Sequence, residues 1–597
     1  MMTTPITWNL SDLYAGVEDP KIAADLGALE ARAEAFAAAH RGRVGQLGPE
    51  AFAAALVDYE AIERDLQLPA SYAQLVFSAD TLSPAHGALL QRVEERAVAV
   101  GRHLLFFSLE LLEIPDDAFA ALLANETVAS RRHWLERARR ERPHRLSEPE
   151  ERILMEKAVT GRSAFQRLFD ETASAATFRL TVDGVTSDLS VSEILAKLYD
   201  PDRAVRAAAA EAITAGLVDR SRLFTYITNT LAHDKAVNDR LTHYDHPEAA
   251  RHLSDEVDTD TVHTMLDACT AHFGTVARYY RLKREILGLE RLTHYDRYAP
   301  ILLEETAVAW DEARETVVDA YARFAPAVGD LARRFFDERW IDAEARPGKR
   351  GGAFCMGIAP DRHPYVLMNY LGKKRDVMTL AHELGHGVHD LLAGGQHFLE
   401  YSPSLAAAET ASVFGEMLTF NALLERNLPP RERLALLAGK VEDIFATVFR
   451  QTAMYRFEQG LHAARREQGE LVADQVGAVW QEAVQAMFGD SVEMGEGHRV
   501  WWMYVPHFIH TPFYVYAYAF GQLLVMALYA RYREEGDAFV PRYLDILRAG
   551  GSQRPADLMA LAGIDISRPA FWEAGLGMID GLVSQAEEAW RTVQATG

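Results

Sequence analysis

Apolar residues recur at three- and four-residue spacings along most of this 597-residue chain. Such spacing places apolar side chains on one face of an α-helix. Alanine-rich stretches, such as residues 51–56 and 204–212, strengthen the helical prediction because alanine has the highest helix propensity. Strand-like alternation is confined to short patches. The sequence therefore predicts a mainly α-helical protein with small β-elements.

The first of these patches, residues 177–190, predicts a β-hairpin. Asp183 and Gly184 separate two alternating β-branched runs, and this dipeptide is typical of a tight hairpin turn. Ser190 and Glu193 then have the spacing of a capping box. A helix is therefore predicted to begin directly after the hairpin.

The second β-like patch, residues 352–372, lies far downstream and is surrounded by helical sequence. We predict that the chain divides near residue 190. On this interpretation residues 1–190 form a helical N-terminal region that ends with the hairpin. Residues 191–597 form a second region, which contains the other patch.

Acidic residues outnumber basic ones, with 86 Asp and Glu against 62 Lys and Arg, and the formal net charge is −24. A surface with this charge repels phosphate backbones and anionic lipids. Residues 131–145, RRHWLERARRERPHR, are locally basic, but Glu136 and Glu141 interrupt them at helical spacing. We interpret this segment as a solvated helix face with intrahelical ion pairs. Nucleic acids and membranes are therefore not expected as partners.

The segment from Pro512 to Ala530 has no formal charge over 19 residues, which is the length of a membrane span. It also contains Tyr514, Tyr516 and Gln522. The polar groups of these side chains would lack hydrogen-bond partners in hydrocarbon. We therefore predict a buried helix that lines a polar space.

The cysteines and the N-terminus predict a cellular location. Cys269 and Cys355 are far apart and have the spacing of neither a disulfide framework nor a thiolate zinc site. Residues 1–16 contain neither a basic start nor an apolar core, so no signal or transit peptide is predicted. Both features favour a reducing cytoplasm.

Residues 376–395, DVMTLAHELGHGVHDLLAGG, predict a helix of about five turns that carries a metal-binding pattern. His382 and His386 are four residues apart, so both imidazoles project from one face and can bind one ion at about 2.0–2.1 Å. Glu383 lies beside the first histidine without replacing a ligand. This position suits a general base that acts on a metal-activated water.

Three residues further along the chain are considered as a third metal ligand or its neighbour. His389 lies two turns beyond His382 and is interpreted as a neighbouring polar residue. Residues 402–427 predict a second helix, on which Glu409 and Glu416 share one face of otherwise apolar sequence. Buried charges need partners, and a zinc ion and its histidines would supply them. We therefore assign Glu409 as the third ligand and Glu416 as the hydrogen-bond acceptor of a ligand imidazole; the alternative is that both acids face solvent.

The motif HELGHGVH, followed by AAAETASVFGE, resembles the zinc metallopeptidases of family M3, and within them the oligoendopeptidase F branch. The segments TWNLSDLY, YDRYAP, KRGGAFCMG and HFIHTPFYVYAYAFG resemble the same branch in the same order. The resemblance implies that His382, His386 and Glu409 bind zinc and that Glu383 is the catalytic base. It also implies a large two-lobed helical fold with a deep central channel, and small β-elements beside the zinc helix. In these terms residues 1–190 are the oligopeptidase F-like region and residues 191–597 the catalytic region.

The segment 501–521 contains groups that suit an oxyanion site. His507 and His510 lie in a loop bracketed by prolines, and Tyr514 and Tyr518 lie four apart on the helix predicted to follow. Phenol and imidazole groups donate hydrogen bonds to the oxyanion that forms when water adds to a peptide carbonyl. The resemblance assigns this role to His507 and Tyr514, with Tyr518 as a further candidate and His510 as a weaker one. The alternative is an aromatic cluster that fills core.

Together these features predict a zinc-dependent endopeptidase with one zinc ion per chain. It is expected to hydrolyse internal bonds of short oligopeptides, since a channel would limit access by shape. The patch 352–372 would supply an edge to which an extended peptide adds, or else a hairpin that only packs. Two other functions remain open: a zinc carboxypeptidase or dipeptidyl exopeptidase on the same frame, and a non-catalytic peptide-binding protein. The sequence does not indicate an oligomeric state.

Overall fold

A computed structural model of the chain describes residues 6–301 and 307–596. Within these ranges the chain forms 26 α-helices and five short strands. The predicted mainly α-helical class is therefore confirmed. No signal peptide is predicted for residues 1–16. The first five residues of that segment lie outside the described residues.

The helices of the first half differ widely in length. They are α1 (Pro20–His40), α2 (Pro49–Ala79), α3 (Pro84–Glu113), α4 (Asp116–Leu122), α5 (Glu126–Ala129), α6 (Arg132–Arg140), α7 (Glu148–Thr160), α8 (Arg162–Ser174), α9 (Val191–Ala196), α10 (Arg203–Leu241), α11 (Ala249–Ser254), α12 (Thr259–Ala271) and α13 (Phe273–Ile286).

The helices of the second half are α14 (Trp310–Phe324), α15 (Pro326–Asp337), α16 (Lys374–Ala393), α17 (Phe398–Tyr401), α18 (Leu405–Leu424), α19 (Pro430–Thr447), α20 (Phe449–Gln468), α21 (Ala473–Phe488), α22 (His507–His510), α23 (Tyr516–Glu535), α24 (Val540–Ala549), α25 (Pro555–Leu561) and α26 (Pro569–Thr596). The strands are β1 (Phe178–Val182), β2 (Val185–Leu189), β3 (Ile341–Glu344), β4 (Phe354–Met356) and β5 (Tyr365–Tyr370).

The chain divides into two compact units. The first unit consists of Met1–Arg142, Thr306–Arg426 and Arg531–Asp565, and the second of Pro143–Glu305, Asn427–Ala530 and Ile566–Gly597. The predicted boundary near residue 190 stays a prediction about the organisation of the chain.

The first unit contains a three-stranded sheet in the order β3-β5-β4. The central strand β5 pairs in parallel with β3 and antiparallel with β4, where Cys355 is opposite Val366. Residues 365–368 of β5 are buried. Strand β4 pairs on one side only among the described residues, so it is an edge strand of this sheet. The patch 352–372 thus contains two paired strands, as its alternation indicates.

The second unit contains the predicted hairpin. Strands β1 and β2 are antiparallel, and Val182 is opposite Val185 across a two-residue turn. Asp183 and Gly184 adopt φ values of 50° and 76°, the left-handed conformation that this turn type requires. The capping box also forms, because the Glu193 carboxylate accepts the backbone N–H of Ser190 at 2.8 Å. Both local predictions are confirmed.

The charge-free segment forms most of α23, whose residues from Tyr516 to Tyr529 are buried except for Tyr518, which is 37% exposed. The hydroxyl of Tyr516 donates to Asp255 at 2.9 Å, so a carboxylate satisfies it inside the second unit. Among the residues that the structure describes, none of the helices has the length and apolar character needed to cross a membrane. The prediction of a buried helix is confirmed.

The basic segment 131–145 differs in part from its prediction. Arg132 pairs with Glu136 at 3.3 Å on the exposed face of α6, as expected. Arg131 and Arg139, however, are buried. Arg131 pairs with Glu60 at 2.5 Å, and Arg139 donates to backbone carbonyls at 2.7 Å. The interpretation of the whole segment as a solvated face was wrong, because helix α2 and the end of α3 provide partners that the local sequence does not reveal.

Candidate metal centre

Helix α16 carries the two histidines and begins two residues before Asp376. The Asp376 carboxylate accepts the backbone N–H groups of Leu371 and Lys373, at 2.7 and 3.0 Å. These bonds satisfy donors at the helix start, which otherwise lack partners within the helix. Asp376 therefore fixes the start of the helix from inside its first turn.

Three donor atoms converge between α16 and α18. Nε2 of His382 lies 3.2 Å from Nε2 of His386, and Oε2 of Glu409 lies 3.5 and 3.7 Å from these two atoms. Tetrahedral ligands bound at about 2.0–2.1 Å are separated by about 3.3 Å. His382, His386 and Glu409, which we call the triad, thus fit a metal ion.

The far side of each imidazole is held by an acceptor. Nδ1 of His382 lies 2.7 Å from Oε1 of Glu416, and the ring of His386 bonds to the backbone of Ala408. Such bonds fix the tautomer of a ligand histidine and turn its other nitrogen toward the metal. Glu416 therefore lies in the position that the sequence analysis assigned to it.

The triad also attracts positive charge. Burial alone would lower the pKa of His382, but the hydrogen bond and charge of Glu416, together with the charges of Glu409 and Glu383, raise it to about 9. Burial lowers the pKa of His386 to about 4. The charges of Glu409, Glu416 and Glu383 thus favour positive charge beside the two histidines, as a divalent metal ion would supply.

Two glycines, which the sequence analysis did not single out, allow close packing here: Gly385 lets α16 approach α18, and Gly415 on α18 leaves room for Tyr321 of α14. A Cβ atom at Gly385 would lie 2.5 Å from Cα of Ser412. At Gly415 a Cβ atom would collide with the hydroxyl of Tyr321, which donates to the Ala381 carbonyl at 2.5 Å. Glycine inside a helix lowers its stability relative to alanine. Glycine at positions 385 and 415, inside predicted helices, was therefore the sequence feature that could have indicated close packing.

Glu383 lies next to the triad and is 6% exposed. Burial raises its pKa to about 7, although the backbone N–H of Cys355 donates to the carboxylate and opposes this shift. The hydrogen bond joins Glu383 to the edge strand β4. A carboxylate with this pKa can accept and release a proton near neutral pH.

A cavity of about 520 Å³ opens beside these groups within the first unit. His382, Glu383 and His386 line it from α16, and Phe354 and Cys355 line it from β4. The side chains of His382, His386 and Glu409 are 27%, 26% and 43% exposed. The triad is therefore accessible from outside the protein, unlike a closed structural metal site.

His389 does not join the triad. It is buried, and burial lowers its pKa to about 4. Its ring bonds to the backbone of Leu547, and its Nε2 has no hydrogen-bond partner among the described residues.

The predicted oxyanion residues lie together in the second unit. Nε2 of His507 is 3.2 Å from the Tyr518 hydroxyl, and the rings of Tyr514 and Tyr518 contact edge to face at 5.2 Å. Burial raises the pKa of Tyr514 to about 12, so its hydroxyl stays protonated. His510 instead contacts Asp170 at 2.8 Å. The role of His507, Tyr514 and Tyr518 toward the triad stays a prediction.

Two local predictions about this segment were wrong. His507 and His510 lie in the short helix α22 rather than in a loop. Tyr514 precedes α23, which begins at Tyr516, because Phe513 adopts a φ of 62° and interrupts the helix there. Tyr514 and Tyr518 still contact each other, across the first turn of the helix.

Comparisons with known proteins identify the class of enzyme to which the chain belongs. Residues 196–578 match the family described as Peptidase family M3, and residues 110–178 match Oligopeptidase F. These matches indicate a metallo-oligopeptidase, and the helical fold agrees with them. The chain belongs to peptidase family M3.

Individual relatives agree with this family. The chain is 29% identical to Oligopeptidase PepF of Bacillus subtilis over 487 residues, which are 80% of this chain and 72% of the relative. It is 24% identical to an Oligoendopeptidase F homolog of Borreliella burgdorferi, over 94% of both chains. The crystal structure of oligoendopeptidase-F from Enterococcus faecium has the same fold, with a TM-score of 0.69 at 22% identity, over 96% of this chain and 98% of that one.

Proposed function

We propose that this protein is a zinc-dependent endopeptidase that hydrolyses internal bonds of short oligopeptides. The observation that carries the proposal is the accessible triad with Glu383 beside it at the edge of β4. His382, His386 and Glu409 would hold one zinc ion per chain, since two imidazoles and one carboxylate are a known ligand set of catalytic zinc. The named relatives are oligopeptidases, which supports peptides as the substrate class.

Glu383 would carry the proton transfers. Zinc bound at the triad would supply Lewis acidity, which polarises a carbonyl and lowers the pKa of water. Glu383 would take a proton from the attacking water and pass it to the leaving amine. Its raised pKa supports both steps, because one carboxyl must act as base and then as acid near neutral pH. The N–H of Cys355 would keep the carboxylate directed toward the cavity.

Strand β4 would bind the peptide backbone. Its outer edge lines the same cavity as Glu383, so an extended peptide could add there as a further strand. Main-chain hydrogen bonds of this kind bind peptides with little dependence on their side chains. The alternative, that the β4–β5 pair only packs, would leave substrate binding to side chains alone.

His507 and Tyr514 would donate hydrogen bonds to the oxyanion, with Tyr518 supporting them. The family resemblance and the chemistry of these groups support this role. A phenol that stays protonated and an imidazole N–H are both suitable donors.

One experiment tests the main proposal. Purified wild type, Glu383→Gln and Glu171→Gln, an exposed carboxylate on α8, are compared for metal content and for their cuts in a mixed peptide pool, mapped by mass spectrometry. The proposal requires internal cuts in short peptides, their loss in Glu383→Gln only, and about one zinc per chain in all three proteins.

Other outcomes would select the alternatives. Cuts confined to one terminus would indicate the exopeptidase, which also needs a cationic or anionic group that holds a free peptide end. Bound zinc without cleavage by the wild type would indicate a peptide-binding protein. Efficient cleavage of substrates much longer than about 20 residues would contradict the restriction to oligopeptides. The cytoplasmic location stays a prediction, which cell fractionation would test.

A further inference from the structure

Asp390 extends the row of polar side chains beyond the triad. It lies four residues after His386 on α16, one turn along the same face and about 6 Å further along the helix axis. It lines the same cavity as Glu383 and His386. No step proposed above uses it.

The Asp390 carboxylate makes no hydrogen bond and no ion pair with any residue that the structure describes. Burial alone raises its pKa to about 7, as expected for a carboxylate removed from water without a neighbouring cation. Gly357, just after β4, leaves room for it, because a Cβ atom there would lie 2.6 Å from Oδ2 of Asp390. The carboxylate is thus accommodated beside the edge strand without a partner from the protein.

Tyr401 supplies a second polar group without a partner. It is 4% exposed and lines the same cavity, and its hydroxyl forms no hydrogen bond among the described residues. Burial raises the pKa of Tyr401, and the charge of Asp390 adds to this effect, so the two side chains are close together. Buried polar groups nearly always have hydrogen-bond partners. The Tyr401 hydroxyl is such an exception, and the Asp390 carboxylate in the same cavity has no protein partner among the described residues, so a ligand bound there would serve both groups.

The chemistry of this pair selects a cation. A carboxylate only accepts hydrogen bonds when it is ionised, and a phenol oxygen accepts as well as donates. A guanidinium offers five donors in a planar fork, and an ammonium offers three. Either group would satisfy the carboxylate and the phenol together, whereas a neutral apolar side chain would leave both unsatisfied.

We propose that Asp390 and Tyr401 form a subsite for the arginine or lysine side chain of a peptide substrate, at one of the two residues that flank the cleaved bond. This inference rests on the proposed endopeptidase function. The distance supports the position: one helical turn from His386 is within reach of a long side chain on a residue adjacent to the bond. The enzyme would therefore select basic peptides at this position.

The test uses the zinc-loaded enzyme and pairs of internally quenched peptides that differ in one residue beside the cleaved bond. Arginine is compared with citrulline, which has nearly the same shape without the charge, and lysine with norleucine. We expect kcat/KM for the basic peptide to exceed that for its neutral partner by about tenfold or more at one of the two positions. Replacing Asp390 by Asn should bring this ratio close to one.

Two further variants sharpen the result. Tyr401→Phe should lower the ratio by a few-fold, because one hydrogen bond is lost while the charge remains. Asp58→Asn removes an exposed carboxylate on α2 and should keep the wild-type ratio. An unchanged ratio in Asp390→Asn would overturn the assignment, since the preference would then arise elsewhere.

The outcomes separate this inference from the proposed function. If wild type cleaves none of the peptides, the endopeptidase proposal itself fails. If wild type cleaves basic and neutral peptides equally, only the subsite is refuted. If Asp390→Asn does not fold, competition decides: butylguanidine should inhibit cleavage of the neutral peptide more strongly than the uncharged butylurea, and equal inhibition would overturn the subsite.

Discussion

Nδ1 of His382 on α16 lies 2.7 Å from Oε1 of Glu416 on α18. This contact directs the other ring nitrogen of His382 toward the triad. Glu409 lies seven residues before Glu416, two helical turns along the same face. One helix therefore supplies both a donor atom of the triad and the acceptor that orients a neighbouring histidine.

Replacing Glu416 by Gln is expected to weaken zinc binding about 10- to 100-fold, because His382 loses a charged acceptor while the shape of the side chain is kept. Competition with a chromophoric zinc chelator measures the affinity. Glu425→Gln, an exposed carboxylate at the end of the same helix, is the matched control. Equal zinc affinity in the two variants would contradict an orienting role for Glu416.

Replacing His386 by Ala is expected to reduce bound zinc to well below one per chain, since only His382 and Glu409 remain as donors. Elemental analysis after dialysis gives the ratio, and circular dichroism checks that the helices persist. Treating the wild type with a chelator should likewise abolish cleavage, and added zinc should restore it. Stoichiometric zinc in His386→Ala would show that the ligand set is wrong.

Much of the fold and of the triad follows from spacing along the sequence. His382 and His386 must share a helix face, and so must Glu409 and Glu416, because helical periodicity alone decides it. The turn at Asp183 and Gly184 and the capping box at Ser190 are equally local. Such features need no knowledge of what packs against them.

Features that depend on distant segments could not be predicted. Arg131 is buried because Glu60, 71 residues earlier, neutralises it. Tyr514 lies outside the helix because Phe513 is left-handed, and nothing in the residue type favours that conformation. In the sequence alone, Asp390 is only one more polar residue after the HExxH motif. Its proposed role depends on Tyr401, which lines the same cavity in the folded chain.

Replacing Gly385 by Ala tests whether close packing of α16 and α18 forms the triad. The added methyl group would meet the backbone of Ser412 at 2.5 Å, where it cannot be accommodated without moving a helix. Overpacking of this kind typically costs about 1–3 kcal/mol. We expect a lower midpoint of chemical unfolding and a lower zinc affinity, measured on the same preparation.

Gly101→Ala is the matched control for that variant. Gly101 lies inside helix α3 of the same unit, and a Cβ atom there would meet nothing within 4 Å. Alanine should therefore stabilise the helix by about 0.5–1 kcal/mol and leave zinc affinity unchanged. If Gly385→Ala behaved like this control, close approach of the two helices would not be what positions Glu409.

Replacing Tyr514 by Phe separates an oxyanion donor from a residue that only packs. If the hydroxyl acts mainly in the transition state, kcat should fall about 100-fold or more while KM changes little. The ring remains, so its contact with Tyr518 is kept and the fold should be unaffected. Tyr226→Phe, on the exposed face of α10, controls for loss of a phenol elsewhere in the second unit. An unchanged kcat in Tyr514→Phe would assign this side chain to the aromatic cluster alone and remove it from catalysis.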